Sequence, residues 1–440
     1  MAFVTLILLT SVAFVPTVPN VIVAPDRFDN KAAAAFAKRW FEARPATRFD
    51  DWDEELRAAL LADAEQLRLP EGALDDAVEE LLKAAKKRVP RARKKELDTP
   101  FGRATWLDSG TGKNKGLVIG LHGGGEGAGS ASEATRWQAK GCRGMYPQGI
   151  RLVHDTWNTV HGERFVLTLM EIAKVHHEVD PDRVYSMGFS MGGTGSWFLA
   201  GRHPDLLAGS SPCAGVLMAN PKSQLETKEE VEALQHGFVP NVRNLSMYYY
   251  IGLADKNCMP GTYLYVWDRI EALRAADPEG YRDLEFSTYP GLAHAFPPGE
   301  PTKGIKWLTA KVRNTFPDKL VWEYASDPFP QSRPQDARGR LDKNHYYWLY
   351  TSAPVDRMEV TATRAGNAFD LTIERADPST FRLFLRPEMI DVEEDVVVTV
   401  NGEEGFRGRA TPSFRALVES FDDKLDRSLV FDRCVPLLAD

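Results

Sequence analysis

The stretch Val184-Tyr185-Ser186-Met187-Gly188-Phe189-Ser190-Met191-Gly192-Gly193-Thr194-Gly195-Ser196-Trp197 decides how this chain folds. A strand-like run, VYSM, meets a serine flanked by glycines, and helix-forming sequence, GGTGSWFLA, follows at once. A serine on so sharp a strand-to-helix turn must accept a strained backbone, and glycines at 188 and 192 let strand and helix come close enough to hold it. The helix beginning there aims its positive end at charge developing on a nearby oxygen. The spacing Gly188-x-Ser190-x-Gly192 arises often by chance. Its place between strand and helix is what makes Ser190 a candidate nucleophile and not a plain turn residue.

Outward from that turn, short apolar runs recur at Leu117–Ile119, Arg183–Met187, Leu245–Ile251 and Leu284–Tyr289. Helical stretches separate them: Arg164–Val175, Ser196–Ala200 and Leu264–Leu273. Strands alternating with helices predict βαβ units, a mostly parallel sheet with helices on both faces, and chemistry beyond the carboxyl ends of the strands. Leu121-His122-Gly123-Gly124-Gly125 lies at such an end. Bare glycine N–H groups at Gly123, Gly124 or Gly125, with the N–H of Met191, would form an oxyanion hole. No GxGxxG or GKS/T pattern follows to support a phosphate cradle, and His122 reads as an anchor for the loop.

A hydroxyl of ordinary acidity needs a base, and the base an orienting carboxylate. His203, in RHPD, reads as the end of the nucleophile's helix, and His236 has no strand before it. His294, in YPGLAHAFP after the strand LEFSTY, sits where a strand-end base belongs. Asp255 follows the run Met247–Gly252 in GLADKNC, also at a strand end. Asp205, Glu226, Glu229, Glu230 and Glu232 fall in helical or surface stretches, and Asp268 and Glu271 on a solvated helix face. The expected set is Ser190, Asp255 and His294, with neither metal nor cofactor.

Through LHGGGEG, VDPDRVYSMGFSMGGTGSW, GLADK and GLAHAF, residues 100–316 resemble the α/β-hydrolase superfamily. VDPDRVYSMGFSMGGTGSW followed by HPDLLAGSSPCAG is similar to secreted feruloyl and acetylxylan esterases and to polyhydroxybutyrate-depolymerase-like esterases. The resemblance implies a serine carboxylic-ester hydrolase with Ser190, Asp255 and His294 as triad, acting on small or polymeric esters. Two rival readings keep the scaffold. A prolyl-oligopeptidase-like peptidase would use the same triad, but about 95 helical residues cannot build the propeller such enzymes carry. A non-catalytic carbohydrate- or surface-binding protein is argued against by the intact serine, aspartate and histidine.

The remaining sequence sets bounds. With 440 residues, 43% hydrophobic and 26% charged, the chain is long enough for two or three folded domains. A net charge of −8 argues against a nucleic-acid binder. The only long apolar stretch, Ala2–Val15, is shorter than the ~20 residues a membrane span needs. Residues 1–24 read as a signal peptide for a secreted or periplasmic protein, although a basic n-region is missing; a buried strand or helix is the alternative, with a cytoplasmic location. Export would permit a Cys213–Cys258 disulfide. Residues 25–95 read as helical, with Asn30 and Asp50 as caps and Leu74, Val78, Leu81 and Leu82 as an apolar stripe. The basic run Lys83, Lys86, Lys87, Arg88, Arg91, Arg93, Lys94 and Lys95, broken by Pro90, reads as a solvated helix end and linker. Residues 96–318 form the catalytic domain, and after three prolines the period becomes two, so 319–440 reads as an antiparallel β-sandwich. Asn401-Gly402 marks a hairpin within it. Tyr346, Tyr347 and Trp348 either stack on carbohydrate or pack against the hydrolase domain.

Overall fold

The computed structural model describes residues 27–110, 116–124, 129–150, 156–215, 235–258, 260–325 and 341–439. The proposed signal segment, Gly125 and the four glutamates at 226, 229, 230 and 232 lie outside them. Eight described strands form one sheet: β1 (Glu96–Thr99), β2 (Gly102–Ser109), β3 (Gly116–Leu121), β4 (Cys142–Gln148), β5 (Val184–Phe189), β6 (Gly209–Cys213), β7 (Ser246–Gly252) and β8 (Leu284–Tyr289). Their spatial order is β1-β2-β4-β3-β5-β6-β7-β8. β2 runs antiparallel to both neighbours, and every pairing from β4 to β8 is parallel. The expected parallel α/β sheet is therefore present.

Helices cover both faces. The described ones are α1 (Asn30–Ala43), α2 (Glu54–Glu65), α3 (Leu74–Arg88), α4 (Ala131–Ala134), α5 (Val160–His176), α6 (Met191–Arg202), α7 (Pro260–Ala276), α8 (Thr302–Leu308) and α9 (Phe414–Lys424). On β3, Leu117, Ile119 and Leu121 join one core with α5, α6 and α7, while Val118 joins a second with α4 and α8. That alternation is the pleat of a strand buried on both sides. Four of the eight strands escaped the pattern of apolar runs, β1 and β2 at the edge of the sheet and β4 and β6 within it. β4 reads CRGMYPQ and β6 reads GSSPC, yet both are almost wholly buried. β6 is built from small residues because its neighbours leave little room: a Cβ on Gly209 would stand 2.5 Å from Leu308. The Ser210 hydroxyl bonds that of Ser186 at 2.8 Å.

The amino-terminal helices exist where expected, but their caps are shifted. Asp29 accepts from the N–H groups of Lys31 and Ala32, and Asp53 from that of Leu56. Asn30 is instead the first helical residue, and Asp50 lies in the preceding turn. The capping residue is the one whose carboxylate reaches the free N–H groups of the first turn. These helices pack on α9, which comes from the far end of the chain. Asp422 of α9 joins them: it accepts from Trp40 Nε1 at 3.1 Å, Arg44 Nε at 2.7 Å and Trp52 Nε1 at 3.1 Å. Arg44 also reaches Glu171 of α5 at 2.9 Å, tying three regions together.

Beyond the sheet, β10 (His345–Tyr346), β11 (Leu349–Thr351), β14 (Phe381–Leu385) and β17 (Arg433–Pro436) form a four-stranded sheet. A five-stranded one holds β9 (Lys319–Glu323), β12 (Glu359–Ala365), β13 (Ala368–Glu374), β15 (Val396–Val400) and β16 (Glu403–Gly408). Side chains of both share one core, as in a sandwich. The expected hairpin sits between β15 and β16, with Asn401 at φ 52° and Gly402 at φ 87°. One pairing departs from the antiparallel expectation, because β13 and β15 run parallel. Tyr346, Tyr347 and Trp348 are at most 1% exposed, so their faces are closed to a carbohydrate. They belong to the sandwich core, and the Tyr346 hydroxyl reaches back to the Asn241 carbonyl at 3.1 Å.

This core carries a pH liability. His345 is buried between the rings of Tyr350 (4.6 Å) and Phe384 (5.0 Å), and burial pushes its imidazole down to about 3. The unfolded chain takes up that proton near pH 6.5 while the folded one resists it. Folding stability is therefore fully present above about pH 6.5 and falls as the pH drops toward 3. In His345→Phe the melting temperature should fall less between pH 7 and 4 than in the parent; parallel curves would show that His345 does not set the acid limb.

Candidate active site

β5 ends at Phe189 and α6 begins at Met191, so Ser190 alone makes the turn. Its backbone sits at φ 60°, ψ −126°, a conformation that costs a side-chain-bearing residue about 1–3 kcal/mol. Surrounding contacts hold it there. The Ser190 N–H donates to the Cys213 carbonyl at 3.0 Å, and its own carbonyl accepts from Thr194 N–H at 2.9 Å. The flanking glycines permit the crossing: a Cβ on Gly188 would stand 2.2 Å from Gly192, and one on Gly192 2.2 Å from the Leu121 carbonyl.

The glycine loop after β3 abuts this turn. A Cβ on Gly123 would lie 3.1 Å from the Phe189 carbonyl and 3.5 Å from Ser190 Cβ, so the Gly123 backbone passes directly beside the serine. Gly124 is exposed and left-handed at φ 77°. Met191, the first residue of α6, has no intrahelical acceptor for its N–H. His122 anchors the loop, as its position suggested. It is 1% exposed, pairs Nδ1 with the Gly123 carbonyl at 2.9 Å, and accepts from Gly149 N–H on Nε2 at 3.1 Å. Burial lowers its imidazole below the ordinary value, which suits a neutral ring with Nδ1 protonated. Trp157 completes the anchor by donating Nε1–H to the His122 carbonyl at 2.9 Å. No sequence signal marked Trp157, because its partner is a backbone atom of a distant loop.

Asp255 stands just past β7, and His294 in the loop after β8. The two are joined: His294 Nδ1 lies 2.7 Å from Asp255 Oδ2. Oδ1 of Asp255 accepts from the N–H groups of Asn257 (2.8 Å) and Cys258 (2.9 Å). Burial alone would raise this carboxyl, but the bonds from His294, Cys258 and Asn257 outweigh it and hold the group below the usual carboxylate range. A carboxylate so fixed keeps the proton of the imidazole on Nδ1 and leaves Nε2 as the free lone pair.

Around the imidazole lies an aromatic wall. The Phe189 ring is 4.8 Å from that of His294 and stacks on Phe296 at 4.4 Å, and Arg136 covers Phe296 at 4.9 Å. Among the described residues no hydrogen bond joins Ser190 to His294. The Ser190 hydroxyl interacts with the Cys258 thiol, which burial first and then Asp255 push up to about 12. From the sequence, Cys258 has a place only as half of a possible disulfide with Cys213. Both are free, buried thiols, and Cys258 serves the site through its N–H and its contact with Ser190. The Asp255-x-x-Cys258 spacing at a strand end was the available signal, since aspartates there often bond N–H groups two and three residues on.

The other candidates lie elsewhere. His203 ends α6 and bonds Glu163 at 2.8 Å in the interior. Asp205, expected on a helical or surface stretch, is fully buried and bonded to Lys343 at 2.6 Å. Its burial comes from the carboxy-terminal region closing over it. His236 faces Glu323 at 3.1 Å, away from the serine's neighbours. Asp268 and Glu271 are on the exposed face of α7.

No protein-family model matches the chain. A stretch of 124 residues is 32% identical to poly(3-hydroxyalkanoate) depolymerase C of Paucimonas lemoignei, covering 25% of this chain and 30% of that protein. The chain thus spans under a third of the length of that relative. Among solved structures, a thermostable esterase aligns with 50% of this chain and 62% of its own at 18% identity and a TM-score of 0.34. An acetyl xylan esterase from Aspergillus awamori aligns with 48% and 97%, at 15% identity and a TM-score of 0.37. Strand order, the antiparallel second strand and a strained serine between β5 and α6 together give the chain the α/β-hydrolase fold.

Proposed function

We propose that this protein is a serine carboxylic-ester hydrolase that works through an acyl-enzyme on Ser190. The observation carrying the reading is the fixed His294–Asp255 pair, 2.7 Å apart, at the same end of the sheet as a serine held at φ 60°. In this mechanism the Ser190 hydroxyl turns from Cys258 to His294 Nε2, which takes its proton as Oγ attacks the ester carbonyl. Asp255 keeps the imidazole oriented and stabilises its charged form. The N–H groups of Met191 and of the Gly123–Gly125 loop receive the oxyanion, each donor worth ~3–4 kcal/mol in sites of this kind. His294 then protonates the departing alcohol, and water releases the acid by the reverse sequence.

The similarity to a protein named a poly(3-hydroxyalkanoate) depolymerase supports esters of hydroxyalkanoates as the substrate class, with plant-polysaccharide esters the other expectation from the sequence motifs. Secretion, expected from residues 1–24, fits polymeric substrates of both kinds. Purified protein should hydrolyse p-nitrophenyl acetate and a hydroxyalkanoate dimer, and an alkyl phosphonate should label Ser190 stoichiometrically. In that adduct His294 Nε2 should lie within about 3.2 Å of Ser190 Oγ. Phosphonate on another residue, or cleavage of peptide anilides with no ester turnover, would overturn the proposal.

A further inference from the structure

We infer that the groove between the end of α3, the loop after it and the end of α5 is a binding site for a compact, multiply charged anion, phosphorylated or polycarboxylate. The groove has a volume of about 480 Å³. That is the scale of small-molecule sites, ~300–1,000 Å³. Lys86, Arg91, Arg93 and Lys95 line it, against a single carboxylate, Glu178. Lys87 and Lys94 adjoin it in sequence and are exposed.

Among the described residues, all of these cations except Lys95 are left without a carboxylate partner, in a chain that has carboxylates in excess, 62 against 54 basic residues. Among the described residues no carboxylate lies within ion-pair distance of Lys86, Lys87, Arg91, Arg93 or Lys94. Their neighbours are paired: Lys83 bonds Glu80 at 2.7 Å, and Lys95 pairs with Asp108. The distinction separates this patch from an ordinary solvated helix end, where acidic and basic side chains intermingle.

The backbone around the groove is also shaped and fixed. Ala92 (φ 41°), Lys95 (φ 60°) and Glu178 (φ 50°) are all left-handed without being glycine. Residues held so persist where surrounding bonds enforce them, and they cluster at ligand sites. The bonds are present: His176 Nε2 pairs with the Val89 carbonyl at 2.8 Å, and the Lys95 carbonyl accepts from Trp106 N–H at 3.1 Å. A loop already fixed in place loses little freedom when an anion binds. The negative charge of the rest of the chain opposes a long polyanion running past the groove, which favours a compact ligand.

Two histidines in the wall supply an independent reporter. Burial, and after it Arg143, push His177 down to about 4. An anion seated beside it would favour the charged ring and move its titration upward.

The test uses the full chain with pyrophosphate and, separately, citrate, at constant ionic strength in chloride. Calorimetry should show one-to-one binding of at least one of them, and which one separates the phosphorylated from the polycarboxylate source. Arg91→Gln/Arg93→Gln should weaken that binding at least ten-fold, with melting temperature and ester turnover unchanged. The His177 ring resonance should titrate at higher pH when the anion is bound. If the double variant fails to fold, Lys86→Gln on the exposed helix face is the substitute and should weaken binding about three-fold or more. Binding no tighter than chloride, equal binding by the variants, or binding of long polyanions such as heparin alone would each overturn the inference.

Discussion

Ser190→Ala is expected to lower kcat for p-nitrophenyl acetate by about 10⁴-fold or more, while the melting temperature changes by no more than a few degrees. The proposed mechanism routes every bond change through this oxygen, and losing such a nucleophile leaves only what the oxyanion donors and binding contribute. Four decades correspond to about 5.5 kcal/mol of transition-state stabilisation. The fold should survive because the described backbone bonds of residue 190, to Cys213 and Thr194, involve no side-chain atom. Alanine meets the same conformational penalty at φ 60° as serine does. Ser190→Gly, free of that penalty, should be equally inactive yet more stable than the parent by about 1 kcal/mol. Turnover within ten-fold of the parent in Ser190→Ala, after contaminating esterases are excluded, would remove Ser190 from the mechanism.

The second large effect is expected at Gly192, which no substrate need touch. An added Cβ would stand 2.2 Å from the Leu121 carbonyl and 2.9 Å from that of His122, both rigid backbone. Gly192→Ala must therefore push α6 away from β3, displacing the nucleophile turn and the glycine loop together. A loss of about 3 kcal/mol in stability is expected, at the upper end for overpacking. Misplacement of about 1 Å at the reacting atoms is worth roughly 100-fold in kcat/KM. Gly261, on α7 with nothing within 4 Å, is the control. Gly261→Ala should leave activity intact and should not lower the melting temperature. Equal stability and activity for the two variants would mean that close approach at Gly192 is not what holds the turn.

The sequence was most informative where local pattern and tertiary demand coincide. β3, β5 and β7 are apolar runs because both of their faces are covered, so their burial is written in their composition. Ser190 was legible because its flanking glycines occur between strand and helix, and Asp255 and His294 because few polar residues of the right type stand at strand ends. β4 and β6 were not legible. Tyr and Pro in one and two serines in the other gain their places through cross-strand and cross-layer neighbours that no window of sequence contains. The same holds for Trp157, whose role depends on a carbonyl 35 residues away, and for Asp205, buried against Lys343 across 138 residues.

The capping aspartates mark the boundary between these cases. Composition narrows a helix start to a few polar residues, and whether Asp29 or Asn30 caps depends on which carboxylate or amide reaches the first-turn N–H groups. Likewise, the period-two pattern of the carboxy-terminal region announced strands and the Asn401-Gly402 turn. It could not reveal that β13 and β15 run parallel, since pairing direction is a relation between strands and not a property of either.

By itself, then, the order of residues determined that a parallel sheet would carry a serine on a strained turn, with an aspartate and a histidine at later strand ends. Steric limits on backbone angles and the burial of apolar runs act locally enough to be read along a chain. Only the tertiary structure decided that His294 meets Asp255 at 2.7 Å, that Ser190 rests against Cys258, and that Lys86, Arg91 and Arg93 line one groove with Lys95, which alone of the four pairs with a carboxylate among the described residues. Those outcomes depend on distances between segments far apart in sequence, which the packing of the whole core sets.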